Sequence, residues 1–124
     1  MAWFIGLMSG TSLDGVDAVL AEATPAGLVA RAHTHSGFTA ALKNELLALN
    51  RSGGDEIHRA ALAANALVRV YAQAVADVLA QSGLQHHQVT ALGAHGQTVR
   101  HRPGEFDGTG YTVQLMNGAL LAEL

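Results

Sequence analysis

The sequence predicts an α/β protein built on a mixed sheet, with an antiparallel three-strand start and flanking helices. Three observations carry that expectation. The opening third alternates short apolar runs with glycine-bearing turns. The middle holds a long stretch whose apolar residues recur every three or four positions, the period of an amphipathic helix. Short apolar runs bounded by turn residues then return, and strands interleaved with helices are the pattern of α/β architectures. The chain has 124 residues, enough for one domain, with 49% hydrophobic and 14% charged residues. That balance excludes intrinsic disorder, which needs low hydrophobicity and high charge.

Ala2 to Met8 is short, apolar and aromatic and reads as a buried strand. Val16 to Ala23 reads as a second strand, with Val16, Ala18, Leu20 and Glu22 on one face and Asp17, Val19 and Ala21 on the other. Asp14-Gly15 is the turn dipeptide expected to join them in a hairpin. Thr24-Pro25-Ala26-Gly27 marks another turn, and Leu28 to Ser36 is the third antiparallel strand. Thr39 is placed to cap a short helix over Ala40 to Leu49, with Leu42, Leu46 and Leu49 on its inner face. Asp55 is the expected cap of a long helix ending at Gly83. Its expected core stripe is Ile57, Ala61, Ala64, Val68, Tyr71, Val75, Val78 and Leu79. Val89 to Ala94 is the fourth strand, Arg100 to Gly110 a loop, Tyr111 to Leu115 the fifth strand, and Asn117 opens a last helix. The sequence stops at Leu124 inside that helical pattern, which reads as a fragment of a longer protein.

Composition narrows the function classes. Seven Lys and Arg against ten Asp and Glu give a net charge of −3, too few cations for a nucleic-acid-binding patch. The absence of cysteine excludes disulfides, thiolate metal sites and a cysteine nucleophile. The opening residues lack the basic region of a signal peptide. Gly, His, Arg or Asp interrupts the apolar runs before the roughly 18 residues a membrane span needs. The expected setting is therefore the cytoplasm, with no membrane partner.

Two segments carry candidate chemistry. In Ser9-Gly10-Thr11-Ser12-Leu13-Asp14-Gly15, glycines allow close backbone approach and successive N–H groups can form an anion-binding concavity. Thr11 and Ser12 add hydroxyls, and Asp14 suits the water shell of a Mg²⁺ ion held mainly by phosphates. The competing reading is a plain hairpin turn, since no Walker-type lysine follows. Against it stands the length of the connection, where a bare hairpin needs only two residues. The second segment, His95-Gly96-Gln97-Thr98-Val99-Arg100-His101, follows the fourth strand, and open α/β sheets bind ligands at such strand ends. Gln97 and Thr98 offer donors and acceptors matched to sugar hydroxyl and amide groups. A purely structural role for His95 stays open beside that reading. His33 and His35 share a strand face, and His86-His87 follow a helix end; neither pair shows a third metal ligand nearby.

Phe4-Ile5-Gly6-Leu7-Met8-Ser9-Gly10-Thr11-Ser12-Leu13-Asp14-Gly15-Val16-Asp17 resembles the amino-terminal signature of the anhydro-N-acetylmuramic acid kinases. Gly93-Ala94-His95-Gly96-Gln97-Thr98-Val99, with His101 and Pro103, then Thr112-Val113-Gln114-Leu115 and Ala119-Leu120-Leu121-Ala122-Glu123, resembles that family's second block in the same order. The resemblance implies a ribonuclease-H-like, actin-like ATPase fold with ATP and sugar between two lobes. Residues 1–124 would be the amino-terminal portion of the first such domain, with the rest of it and the second lobe absent. It implies ATP-dependent opening of the 1,6-anhydro ring of anhydro-N-acetylmuramic acid, with phosphorylation of O6, in peptidoglycan recycling. It assigns ATP phosphates to Gly10, Thr11, Ser12, Leu13, Asp14, Gly15, Val16 and Asp17, with Mg²⁺ held indirectly at Asp14. It assigns the sugar to His95, Gln97 and Thr98. The family's water-activating aspartate lies in an Asp-Phe-Arg block that this sequence lacks, so no residue here is assigned as catalytic. Met116 departs from the family, which usually has a glycine there. The expected partners are the amino sugar and the nucleotide, with a homodimer as the expected assembly. The alternative is a non-catalytic sugar- or nucleotide-binding module.

Overall fold

Side-chain alternation in the first strands decides which face of the sheet becomes core. A computed structural model describes residues 2–124, in which β1 (Trp3–Met8), β2 (Gly15–Thr24) and β3 (Gly27–Gly37) pair as successive antiparallel strands. Ile5, Leu7, Val16, Ala18 and Leu20 are all buried, and the register sets Leu7 opposite Ala18 and Ile5 opposite Leu20 on one face. Asp17, on the other face, is exposed. The β2–β3 turn is fastened by Thr24, whose Oγ1 donates to the Gly27 carbonyl at 2.8 Å and accepts from Ala26 N at 3.2 Å.

β4 (Val89–Ala94) lies on the far side of β1 and runs parallel to it, giving a mixed sheet of order β3-β2-β1-β4. A parallel neighbour needs a crossover. It is supplied by α1 (Ala40–Ala48), α2 (Glu56–Ser82) and a 3-10 turn over His86–Gln88. The mixed α/β sheet and its antiparallel start agree with the sequence expectation.

α1 begins as expected, with Thr39 Oγ1 accepting from Leu42 N at 3.1 Å and with Leu42, Leu46 and Leu49 buried. The start of α2 differs. Asp55 makes no side-chain cap because its backbone is left-handed (φ 55°), whereas a capping residue is extended. Arginines fasten this end instead. Arg59 pairs with Glu45 and donates to the Gly54 carbonyl at 3.1 Å. Arg100 pairs with Glu56 and donates to the Leu49 carbonyl at 3.1 Å. Gly83 closes α2 in the left-handed conformation, as its position predicts.

The core stripe of α2 is shifted from expectation. Ala63, Leu67 and Ala74 join Ala64, Val68, Tyr71, Val75, Val78 and Leu79 in the interior, while Ile57 is 89% exposed and Ala61 is exposed. Ile57 lies near Leu49, Val99, Val113 and Leu115, away from the four-stranded sheet. By length and composition α2 also meets the requirement for a membrane span, contrary to the sequence reading. Its nine buried residues are used in the protein core.

The region after β4 is the main correction. Arg100 to Gly110 is not all loop, because β5 (Gln97–Pro103) pairs antiparallel with β6 (Gly110–Leu115) in a separate two-stranded sheet. β5 reads Gln-Thr-Val-Arg-His-Arg-Pro, with only Val99 as buried hydrophobe, so alternation could not reveal it. Asp107 stabilises the connecting turn by accepting from Gly110 N and Thr109 N at 2.8 and 3.0 Å, which holds its carboxyl below the usual aspartate range. Asn117 caps α3 (Gly118–Glu123), accepting from Leu120 N at 3.1 Å.

Candidate functional site

Parallel pairing of β1 with β4 brings their carboxyl ends, and the two sequence motifs that follow them, to one end of the sheet. The backbone amide of His95 donates to the Leu7 carbonyl at 3.0 Å, extending the pairing past β4.

The connection from β1 to β2 bends at Gly10–Leu13, where Leu13 N donates to the Gly10 carbonyl at 3.2 Å. The hydrogen-bonded turn therefore precedes the Asp14-Gly15 dipeptide, and the chain bends again at Asp14 before entering β2. Leu13 takes the left-handed conformation (φ 58°) although it is not glycine, and it is only 5% exposed. Burial of its side chain offsets that backbone cost. Thr11, Ser12 and Asp14 are exposed around the bend.

The remaining members of the first candidate segment lie on β2. Gly15 faces the end of β3 so closely that a Cβ would lie 2.1 Å from the Ser36 carbonyl oxygen, so packing within the sheet demands glycine. Val16 is core. Asp17 Oδ1 is bonded by His33 Nε2 at 3.1 Å and His35 Nδ1 at 3.0 Å, both from β3. The bond from His35 is the largest influence on the Asp17 pKa and lowers it; burial opposes it, and the His33 bond adds to the lowering. The pairing of β2 with β3 thus gives the two histidines an acidic neighbour that their spacing did not announce. Among the described residues, no group of three or more His, Asp or Glu is arranged to hold a metal ion.

In the second segment His95 is exposed, and its Nδ1 lies 3.0 Å from the Gly96 carbonyl. A carbonyl only accepts, so this bond assigns the proton of the neutral ring to Nδ1 and leaves Nε2 as the acceptor. Gly96 (φ 82°) would put a Cβ 2.5 Å from the Leu115 carbonyl oxygen. Its close neighbour is therefore the β6 backbone. Gln97 and Thr98 are the first residues of β5, not loop residues. Gln97 is 1% exposed and donates through Nε2 to the Gly10 carbonyl at 3.1 Å. Thr98 is half-buried, and its Oγ1 accepts from Gln114 Nε2 at 3.1 Å, which leaves its own proton for another partner.

A second contact ties the segments together. Ser9 Oγ donates to the Gly96 carbonyl at 3.1 Å and lies 2.9 Å from Tyr71 Oη. Ser9 has one proton, so Tyr71 donates to Ser9. Burial raises the Tyr71 pKa. Sequence reasoning had Tyr71 only as a core residue. The available signal was that a buried tyrosine hydroxyl needs a partner.

A cavity of about 410 Å³ adjoins this region, lined by Leu92, Ala94, Met116, Gly118, Leu121 and Ala122. It includes no residue of the Ser9–Asp14 connection. Met116 is half-buried and packs against the core.

Comparison with known proteins agrees with the motifs. Residues 2–124 match the family described as AnmK, anhydro-N-acetylmuramic acid kinase. Over 121 residues the chain is 62% identical to the anhydro-N-acetylmuramic acid kinase of Albidiferax ferrireducens, covering 98% of this chain and 31% of that protein. The corresponding enzyme of Variovorax paradoxus is 60% identical, with 98% and 32% covered. That of Bordetella pertussis is 55% identical, with 98% and 31% covered. The chain thus spans about a third of the length of these curated relatives. On the strength of that match, it belongs to the anhydro-N-acetylmuramic acid kinase family.

Proposed function

We propose that a protein carrying this segment uses ATP to open the 1,6-anhydro ring of anhydro-N-acetylmuramic acid, giving N-acetylmuramic acid 6-phosphate and ADP in the cytoplasm during peptidoglycan recycling. The segment supplies the phosphate loop and one wall of the sugar site, within a ribonuclease-H-like, actin-like ATPase domain. The observation that carries this reading is the joining of the Gly10–Leu13 bend to the His95–Thr98 segment at the shared end of β1 and β4.

In this reading the bend meets the ATP phosphates with backbone amides and the hydroxyls of Thr11 and Ser12. Phosphoryl transfer depends chiefly on such positioning and charge stabilisation. Asp14 is the exposed carboxylate beside the bend, and one carboxylate with phosphate oxygens and water suits Mg²⁺, which would share the phosphate charge. Gly15 and Val16 support the bend from within the sheet, and Asp17 flanks it under the hold of His33 and His35. On the sugar side, His95 presents Nε2 as an acceptor and Thr98 presents a hydroxyl donor.

The chemistry balances as follows. Water adds to the anomeric carbon and loses a proton to a base, the bond from that carbon to O6 breaks, and O6 takes the γ-phosphoryl group as ADP leaves. The base belongs to the Asp-Phe-Arg block of the family, outside this sequence.

The test is a family-length protein containing this segment, assayed for ADP release with and without the anhydro sugar in H₂¹⁸O. The expected result is sugar-dependent turnover with ¹⁸O at the anomeric position and phosphate on O6. ATP consumption indifferent to the sugar would overturn the reading. Binding of one ligand without turnover would make the segment part of a non-catalytic binding module.

A further inference from the structure

We propose that Gln97 is a positioning residue of the phosphate loop, acting on nucleotide binding through the Gly10 carbonyl and touching neither nucleotide nor sugar. The assignment rests on the phosphate-loop reading above and changes the sugar-contact role that the family resemblance implies for this residue.

Ser9 and Gln97 are buried, at 2% and 1% exposure, beside the buried hydroxyl of Tyr71. Both lie at the same junction. Gln97 Nε2 donates to the Gly10 carbonyl at 3.1 Å, and that carbonyl also receives Leu13 N at 3.2 Å. One oxygen therefore holds both the closure of the bend and the link to β5. The bend between these contacts includes Leu13, whose positive φ must be maintained by its surroundings. Ser9, one residue earlier, is clamped between Tyr71 and the Gly96 carbonyl. The bend is thus gripped by neighbours 62 and 87 residues away in the chain.

Both ends of the amide are turned into the protein: Nε2 donates to the Gly10 carbonyl and, at 3.5 Å, to the Thr98 carbonyl, and the side chain is buried. The Gly10 carbonyl only accepts, so Nε2 must face it and Oε1 must face away. Gln97 Oε1 is sealed from solvent and has no hydrogen-bond partner. Phosphate at neutral pH offers acceptors, so it cannot bond Oε1. A sugar hydroxyl is a donor but has no access to a sealed atom. A buried acceptor left unpaired is costly, and such features in native structures call for an explanation in strain or function. Here the explanation is the orientation forced on the amide by its hold on the bend.

The test uses a family-length protein carrying Gln97→Met or Gln97→Glu, each checked for folding by circular dichroism. Hydrogen exchange at the Leu13 amide is read without ligand, Mg·ATP affinity by calorimetry, and KM for the anhydro sugar by turnover. Gln97→Met is expected to speed Leu13 exchange and weaken Mg·ATP at least tenfold, with sugar KM changed less than twofold. Gln97→Glu sets carboxylate against carbonyl. It is expected to weaken Mg·ATP further at pH 8 and to recover toward the unaltered protein at pH 5.5, where protonation of the buried carboxyl restores a donor. If both Gln97 variants fail to fold, Tyr71→Phe is measured instead and is expected to shift the same quantities by a smaller factor. Sugar KM raised tenfold with Mg·ATP affinity unchanged would overturn the proposal, as would unchanged Leu13 exchange. Failure of the kinase reading is recognised separately: the unaltered protein then gives no sugar-dependent turnover, while the Leu13 exchange still reports the role of Gln97.

Discussion

Ser9 Oγ and Tyr71 Oη lie 2.9 Å apart, buried, with 62 residues of chain between them. The bond is directional, because Ser9 spends its proton on the Gly96 carbonyl and Tyr71 must donate. Removing either partner is therefore not equivalent. Tyr71→Phe leaves Ser9 bonded to Gly96 and is expected to cost roughly 0.5–1.5 kcal/mol, the net worth of one hydrogen bond. Ser9→Ala strands a buried hydroxyl and is expected to cost more, about 1–3 kcal/mol. Urea unfolding of the two variants gives the order; the reverse order would show that Ser9 does not receive the Tyr71 proton.

Gly96→Ala drives a Cβ to within 2.5 Å of the Leu115 carbonyl oxygen, at a positive φ. Backbone must shift where β4 passes into β5, and the Ser9 bond to the Gly96 carbonyl shifts with it. The expected loss is at least about 1–3 kcal/mol of stability, the usual range for strained backbone. Gly118→Ala, where a Cβ meets no heavy atom within 4 Å, is the control expected to change the thermal midpoint little.

Thr39→Ala removes the side-chain acceptor of Leu42 N at the start of α1. A lost cap costs about 1 kcal/mol. Thr39→Ser is expected to keep most of it, since the hydroxyl remains. Thermal unfolding of the pair distinguishes capping from loss of the methyl group.

Asp17 has its pKa lowered by hydrogen bonds from His35 and His33. A folded-state pKa below the unfolded one adds stability above the unfolded value. That contribution is lost as pH falls through the folded value. Asp17→Asn is therefore expected to flatten the acid limb of the stability profile below the usual aspartate pKa. The effect is small because the carboxylate is exposed and screened by solvent. A carbon-13 titration of the Asp17 carboxyl that begins at an ordinary aspartate pKa would contradict the pairing.

Asp14 is exposed beside the bend. Asp14→Ala is expected to leave unfolding nearly unchanged while weakening nucleotide-dependent turnover of a family-length protein at least tenfold, with a raised Mg²⁺ requirement. Unchanged turnover removes Asp14 from the phosphate site. The 124-residue chain alone is expected to show no turnover, because the Asp-Phe-Arg block is not in its sequence.

The elements that were legible beforehand are those specified by neighbours in sequence. Val16, Ala18 and Leu20 declare their shared face by alternation, Thr39 declares a helix start, and Gly83 declares a helix end. The two chemical segments were legible for the same reason, since each is a contiguous run of unusual residues. The β5 strand was hidden because its pairing with β6 replaces the apolar alternation that a strand normally shows. Asp55 was misread as a cap because its residue type is right and only its backbone conformation is wrong.

The sequence by itself determined the α/β class, the antiparallel start and the two segments that mark the family. Tertiary structure alone decided that Gln97 faces Gly10, that Tyr71 holds Ser9, and that His33 and His35 share Asp17. Periodicity and turn chemistry act over a few residues, so the order of residues records them directly. Contacts across 62 or 87 residues depend on which strands become neighbours, and that is fixed only when α2 packs on the sheet and β4 pairs with β1.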